Sequence, residues 1–450
     1  MISKLAAGAF LASLFAAVPA QAALQAAPGY EARARDFVND MAAGQFDKVE
    51  AQYSAPVAAA LPPGKLAAAW NTLEGQVGAF QKIIESRLQT VQEAQIVTLA
   101  CAFQRATLDA VITFDKDGRI AGLRFVPHQA PVDWKAPSYV NPDAFQEQAV
   151  TVVFSHWKLP GTLSLPKGDG PFPGVVLVQG SGPHDEDETL GPNKPFKDIA
   201  WGLASRGVAV LRYVKRTKQY GDASSDDPAS ITVNDEAVND ARAAVSLLAS
   251  QPKIDARRIY VLGHSLGAYL GPRIASGDRE IAGLILLAGN TRPIQQLVVE
   301  QVRYITSLPG VPAADAQKKM EAAEKIAVDI DRPDLKSGDM VDIFGSKVPG
   351  SYWLDLRGYH PAELAAKLSV PMLILQGERD YQVRMADWEG WKKALAGRSN
   401  VTFKSYPALN HLFVAGSGPS TPADYQQPGH VSEEVIADVA AWIARGRKER

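Results

Sequence analysis

The chain is poor in the residues that mark several protein classes. Among 450 residues there is a single cysteine, Cys101. One thiol cannot close an internal disulfide, so this is not a disulfide-stapled scaffold. Cys101 lies in the apolar run VTLACAF and reads as a small buried hydrophobe, not a reactive thiol. Histidine is also scarce, seven in all. None stands in a metal spacing such as H-E-x-x-H, so no metal site and no cofactor are expected. An excess of one charge is missing: 47 Lys and Arg face 49 Asp and Glu. Balanced charge leaves no footprint for nucleic acid. After the first residues no apolar run is long enough to span a bilayer.

What is present is globular in composition, with 46% apolar and 21% charged residues. The length allows two or three domains at ~150 residues each. Residues 1–22 read MISKLAAGAFLASLFAAVPAQA: Lys4, an apolar run from Leu5 to Val18, then Ala20-Gln21-Ala22 as a cleavage site. This pattern predicts a secretory signal peptide and a periplasmic or secreted location. No cysteine stands at the cleavage site to take a lipid anchor.

Residues 23–130 carry one rhythm. ARDFVNDMAAGQFDKVEAQY places Phe37, Val38, Met41 and Phe46 near one helical face, and KLAAAWNTLEGQVGAF is a second helix. Strands are predicted at Ile96–Phe103, Leu108–Phe114 and Ile120–Phe125, with Asp115 to Gly118 as the hairpin turn between the last two. Helices followed by a meander predict a small α+β domain. The segments GQFDKV and AAAWNTL give it a resemblance to the cone-shaped domain, similar to nuclear transport factor 2, that precedes some bacterial secreted hydrolases. A packing, substrate-binding or partner-binding role is expected of it. Residues 131–147 read as a linker rich in proline and polar residues.

Residues 148–450 alternate short apolar strands with helices. An antiparallel pair (Ala149–Phe154, Gly161–Leu165) leads into strands at Val175–Val178, Val208–Tyr213, Ile259–Leu262, Ile285–Leu287, Met372–Leu375 and Val401–Tyr406. Helices are predicted at Phe196–Ser205, Asn234–Ala249, Leu266–Ala275 and Glu433–Ala444. Such alternation predicts a buried, mostly parallel eight-stranded sheet, an α/β fold. Residues 290–368 interrupt it and read as an inserted helical cap.

Gly263-His264-Ser265-Leu266-Gly267 is a G-x-S-x-G pentapeptide. RRIYVLG runs into it as a strand and LGAYLGPRIA leaves it as a helix, which is the context of a nucleophile elbow. A serine hydroxyl needs a base to take its proton, and the chain order of this fold is Ser, acid, His. His411 follows the last strand in YPALNHLF and is preferred to His430, which resembles a helix entry. Asp380 follows the strand PMLILQ in Gly-Glu-Arg-Asp and is preferred to Glu378. Two backbone N–H groups should bind the oxyanion, those of Leu266 and of Ser181 in Gln179-Gly180-Ser181-Gly182-Pro183.

At these residues the chain resembles bacterial α/β-hydrolase carboxylesterases related to the thermophilic esterase EstD. The likeness rests on QGSGPHDEDETLGPNKPFKDIAWGLASRGVAVLRYVKRT, GHSLGAYLGPRIA, GERD and NHLF. It implies acyl-ester hydrolysis by Ser265, Asp380 and His411 with Ser181 and Leu266 at the oxyanion hole. Gln179 stands where many relatives have His, and Val214 where Asp is expected. The acidic run His184 to Glu188 reads as a solvated loop, against a substrate-selecting rim or a cation site. His264 reads as packing. Tyr352 and Trp353 are equally suited to lining an acyl pocket or to holding the cap on its core. The expected partner is a small-molecule ester, and self-association is left open. Rivals are a serine peptidase or thioesterase on the same fold and, in another class, an exported non-catalytic binding protein.

Overall fold

The computed structural model describes residues 29–91, 94–128, 134–227 and 229–446. The predicted signal peptide lies outside the described residues. The chain divides into two compact units, Met1–Pro131 and Val132–Arg450.

The smaller unit places helices Tyr30–Ala42, Phe46–Glu50, Ala55–Ala60 and Lys65–Val77 before an antiparallel meander. Its strands are β1 (Phe80–Val91), β2 (Ala94–Phe103), β3 (Thr107–Phe114) and β4 (Ile120–Pro127), paired in that order. Phe37, Val38, Met41, Leu99, Ile112 and Phe114 are wholly buried between helices and sheet. Cys101 joins this core, and burial pushes its thiol up to about 11, as expected of an inert cysteine. Two details differ from the sequence expectation. The first predicted helix breaks at Gly44, whose φ of +74° suits a residue without Cβ. Strand β1 was not anticipated. FQKIIESRLQTV is rich in charged and amide side chains, and as an edge strand it leaves Ile84 and Leu88 about half exposed, so its apolar residues do not alternate cleanly.

The larger unit is built on one eight-stranded sheet. Its strands are β5 (Phe145–Phe154), β6 (Trp157–Pro166), β7 (Phe172–Val178), β8 (Ala209–Tyr213), β9 (Ile254–His264), β10 (Ile281–Leu287), β13 (Met372–Gly377) and β14 (Val401–Tyr406). The strands lie in the order β14-β13-β10-β9-β7-β8-β6-β5; β6 alone is reversed, antiparallel to both β5 and β8, and the other seven strands share one direction. Successive residues of one strand feed opposite layers, because side chains alternate across a pleated sheet. Val176, Val178 and Val261 pack on one face, and Val175, Leu177 and Leu262 on the other. Each such side chain contributes about 1.5–3 kcal/mol by leaving water. This is the α/β-hydrolase architecture expected from the sequence.

Between β10 and β13 lie helices Ile294–Thr306, Ala313–Asp331, Gly350–Leu356 and Pro361–Ala365. They enclose a hairpin of β11 (Met340–Ile343) and β12 (Ser346–Pro349), so the insertion is not purely helical. The end of the predicted linker also belongs to the hydrolase unit. Trp134 donates to Asp198 Oδ1 at 3.0 Å, Tyr139 donates to the Val431 carbonyl at 2.8 Å, and β5 already begins at Phe145.

Candidate active site

The nucleophile candidate sits where β9 ends and helix Leu266–Ala275 begins. Ser265 has φ +53° and ψ −114°, a conformation an L-residue holds only when its surroundings impose it. The flanking glycines explain how. A Cβ on Gly267 would overlap the Val178 carbonyl, and one on Gly263 would overlap the Gly267 carbonyl. Strand and helix therefore approach as closely as backbone permits, and the turn between them is forced. Ser265 is left partly exposed at the carboxyl end of the sheet.

His411 and Asp380 come from the loops after β14 and β13. His411 Nδ1 lies 2.7 Å from Asp380 Oδ2, and both residues are about 95% buried, at 4% and 5% exposure. Asp380 is oriented by three further donors: Gln382 N at 2.7 Å, Val383 N at 3.0 Å and Gln376 Nε2 at 3.2 Å. A carboxylate facing Nδ1 fixes the tautomer with the proton there, which leaves Nε2 as the basic nitrogen. The rejected candidates lie elsewhere. His430 pairs with Asp198 at 3.0 Å, and Glu378 is exposed and accepts from Ser405 Oγ at 2.8 Å.

The loop after β7 lies against the nucleophile. A Cβ on Gly180 would stand 3.2 Å from Ser265 Cβ. Gln179, the departure from histidine, is buried and donates to the Tyr213 carbonyl, tying the loop to the end of β8. Gly180 N–H donates to Glu188 Oε1 at 2.5 Å, Lys215 Nζ donates to the Gly180 carbonyl at 2.8 Å, and His184 Nε2 donates to the Ser181 carbonyl at 2.7 Å. Among the described residues Ser181 N–H has no internal acceptor. Leu266 N–H opens a helix and has no intrahelical acceptor.

The acidic run is not the solvated loop its composition suggested. Asp187 and Glu188 are 7% and 3% exposed. Asp187 receives Arg212 Nε and Lys194 Nζ, both at 2.9 Å, and Glu186 accepts from Thr162 Oγ1. The matching cation is Arg212, itself 2% exposed and also bonded to Glu147 at 2.8 Å. Burial opposes the charge on Asp187, but Arg212 and Lys194 hold its carboxyl below the ordinary value. A charge-rich run shows no apolar period, so pattern alone could not reveal that a buried arginine waits for it.

The cap residues are placed as follows. Tyr352 donates to Glu236 Oε2 at 2.7 Å, and Glu236 pairs with Lys215 at 2.5 Å. Glu236 lies on the wide helical turn Asn234–Val238, where a single regular helix was predicted. Trp353 is 6% exposed and packs in the core. With Tyr269, Leu356 and Tyr359 it lines a cavity of about 190 Å³.

Comparison with known proteins identifies the family. Residues 34–123 match a family described as protein of unknown function (DUF3887), and residues 194–415 match the family described as serine aminopeptidase, S33. Esterase EstD of Thermotoga maritima is 39% identical over 409 residues, covering 91% of this chain and 94% of that one. The chain belongs to the EstD esterase family of α/β hydrolases. A more distant relative is acyl-coenzyme A thioesterase 3 of Mus musculus, 25% identical over 60% of this chain and 57% of its own length. Among solved structures, Est1E from Butyrivibrio proteoclasticus with bound ferulic acid is 20% identical, with a TM-score of 0.45 over 67% of this chain and all of that one. Family membership covers both units, since the match to EstD spans nearly the whole length of each chain.

Proposed function

We propose that this member of the EstD family is a carboxylesterase working through Ser265, His411 and Asp380 and an acyl-enzyme. The observation that carries the reading is a strained serine elbow set against a loop whose Ser181 N–H has no acceptor among the described residues. His411 takes the Ser265 proton as Oγ attacks the ester carbonyl, and Asp380 holds the imidazole and stabilises its cation. Ser181 and Leu266 N–H groups bind the tetrahedral oxyanion. His411 then gives the proton to the leaving alcohol, and water releases the acid by the reverse path. The signal-like residues 1–22 support export, so the proposed location is periplasmic or secreted.

The match to the aminopeptidase family favours a second reading, cleavage of peptides. An aminopeptidase needs a carboxylate to hold the substrate ammonium. The acidic residues beside the elbow are already engaged: Glu186 by Thr162, Asp187 by Arg212 and Lys194, Glu188 by Gly180 and His264, and Glu236 by Lys215 and Tyr352. The test is kcat/KM on matched 4-nitrophenyl esters, 4-nitroanilides and acyl thioesters. Ester turnover well above the other two is expected; preferential anilide or thioester turnover would replace the ester assignment.

A further inference from the structure

Beneath the proposed triad lies a second histidine–carboxylate pair that the mechanism above does not use. His264, the residue before the nucleophile, is 5% exposed, and Glu188 is 3% exposed. His264 Nε2 lies 2.9 Å from the His411 carbonyl oxygen, and its Nδ1 lies 3.0 Å from Glu188 Oε2. A carbonyl oxygen can only accept, so Nε2 carries a hydrogen. The other nitrogen faces a carboxylate, so it too faces negative charge. An imidazole with an oxygen before each nitrogen satisfies both as the doubly protonated cation. The Nδ1–Oε2 contact is not aligned as a hydrogen bond, so the attraction is that of charge.

We propose that Glu188 and His264 form a buried carboxylate–imidazolium pair that positions both halves of the active site, the oxyanion loop through Gly180 and the base through the His411 carbonyl. The proposal rests on the esterase reading and makes both of them positioning residues. Glu188 spends its other oxygen, Oε1, on Gly180 N–H at 2.5 Å, and Gly180 packs against Ser265. That bond turns the Gly180 amide away from the oxyanion and leaves the next amide, Ser181, for the task. Glu188 also holds φ +51°, a left-handed conformation rare for L-residues other than Asn and Asp, and here its side chain reaches both partners. His264 fixes the carbonyl of the His411 loop, and the two rings lie with centroids 4.6 Å apart.

Electrostatics agree with the geometry. Burial works against charge on both groups. Even so, His264 and the Gly180 amide hold the Glu188 carboxyl below its ordinary value, and Glu188 holds the His264 ring above its own. The other charged groups facing the pair are Asp380, toward His264, and His184, toward Glu188. Asp380 and the His264 cation are the charges beside the His411 ring. The His264 cation therefore reaches the base both across the facing rings and through the His411 carbonyl.

The test compares Glu188→Ala, Glu188→Gln and His264→Gln with the wild type on a short nitrophenyl ester, with active sites counted by fluorophosphonate titration. Glu188→Ala is expected to lower kcat about 10²- to 10³-fold with little change in KM, the loss typical of a misplaced oxyanion donor. Glu188→Gln keeps an acceptor for Gly180 N–H and is expected to recover part of that loss. His264→Gln is expected to move the acid limb of kcat/KM to higher pH. If Glu188→Ala does not fold, the isosteric Glu188→Gln variant and the His264→Gln variant decide. Wild-type kcat per titrated site, with an unmoved acid limb in both, would overturn the proposal. A wild-type enzyme that neither labels nor hydrolyses esters would instead overturn the esterase reading on which it rests.

Discussion

Ser265, His411 and Asp380, the triad proposed here, could be picked out because the α/β-hydrolase fold sets the order of such residues along the chain, and the structure places each after the carboxyl end of a strand. Glu188 and His264 were not, since their pairing exists only once the loop after β7 is folded onto the end of β9. Replacing Asp380 by Asn keeps the shape but not the charge or the tautomer it enforces. It is expected to lower kcat on the order of 10³- to 10⁴-fold with the fold intact, measured as turnover alongside circular dichroism; a loss under tenfold would remove Asp380 from its role. The Glu188–His264 pair also makes stability depend on pH. Burial opposes the charge of Glu188, but its partners hold it below the ordinary 4.5. Its contribution is therefore present above that value and lost as pH falls through the lowered one. Burial opposes the charge of His264, but Glu188 holds it above the ordinary 6.5. That contribution is complete below 6.5 and lost as pH rises through the raised value. The difference in thermal midpoint between wild type and Glu188→Gln is expected to be largest between these two values and to narrow outside them. A difference independent of pH would contradict a charged pair.

At the scale of elements, the strand–turn–helix around the serine follows from backbone contact as much as from apolar period. Gly267 has no room for a side chain because the Val178 carbonyl occupies the space. Gly267→Ala is expected to cost about 3 kcal/mol of stability, the upper range for overpacking a core, read by chemical denaturation. A wild-type midpoint would show that the elbow yields where its geometry says it cannot. The parallel strands were legible because strands buried on both faces are continuously apolar. The edge strand β1, the β11–β12 hairpin and the break at Gly44 were not. Each is short, polar or set by a single dihedral angle, and none leaves a period of 2 or 3.6 in the sequence. The acidic run shows the converse. Composition pointed outward to solvent, but Arg212 turns it inward.

At the scale of the molecule, the two units have separate apolar cores, one around Phe37 and Trp70 and the others on the two faces of the large sheet. Phe37→Ala removes a wholly buried ring from the small unit and is expected to destabilise it by about 3–5 kcal/mol. Calorimetry should show two transitions, with only the small unit's lowered and ester turnover retained below it. One coincident transition, shifted as a whole together with activity, would show that the units unfold as one. The central claim concerns a single oxygen atom. Purified protein should be treated with a fluorophosphonate probe and the labelled peptide identified by mass spectrometry, with Ser265→Ala as the control. One label on Ser265 is expected, with loss of ester turnover in step with labelling, and neither label nor turnover in Ser265→Ala. A label on another residue, or normal turnover by Ser265→Ala, would contradict it.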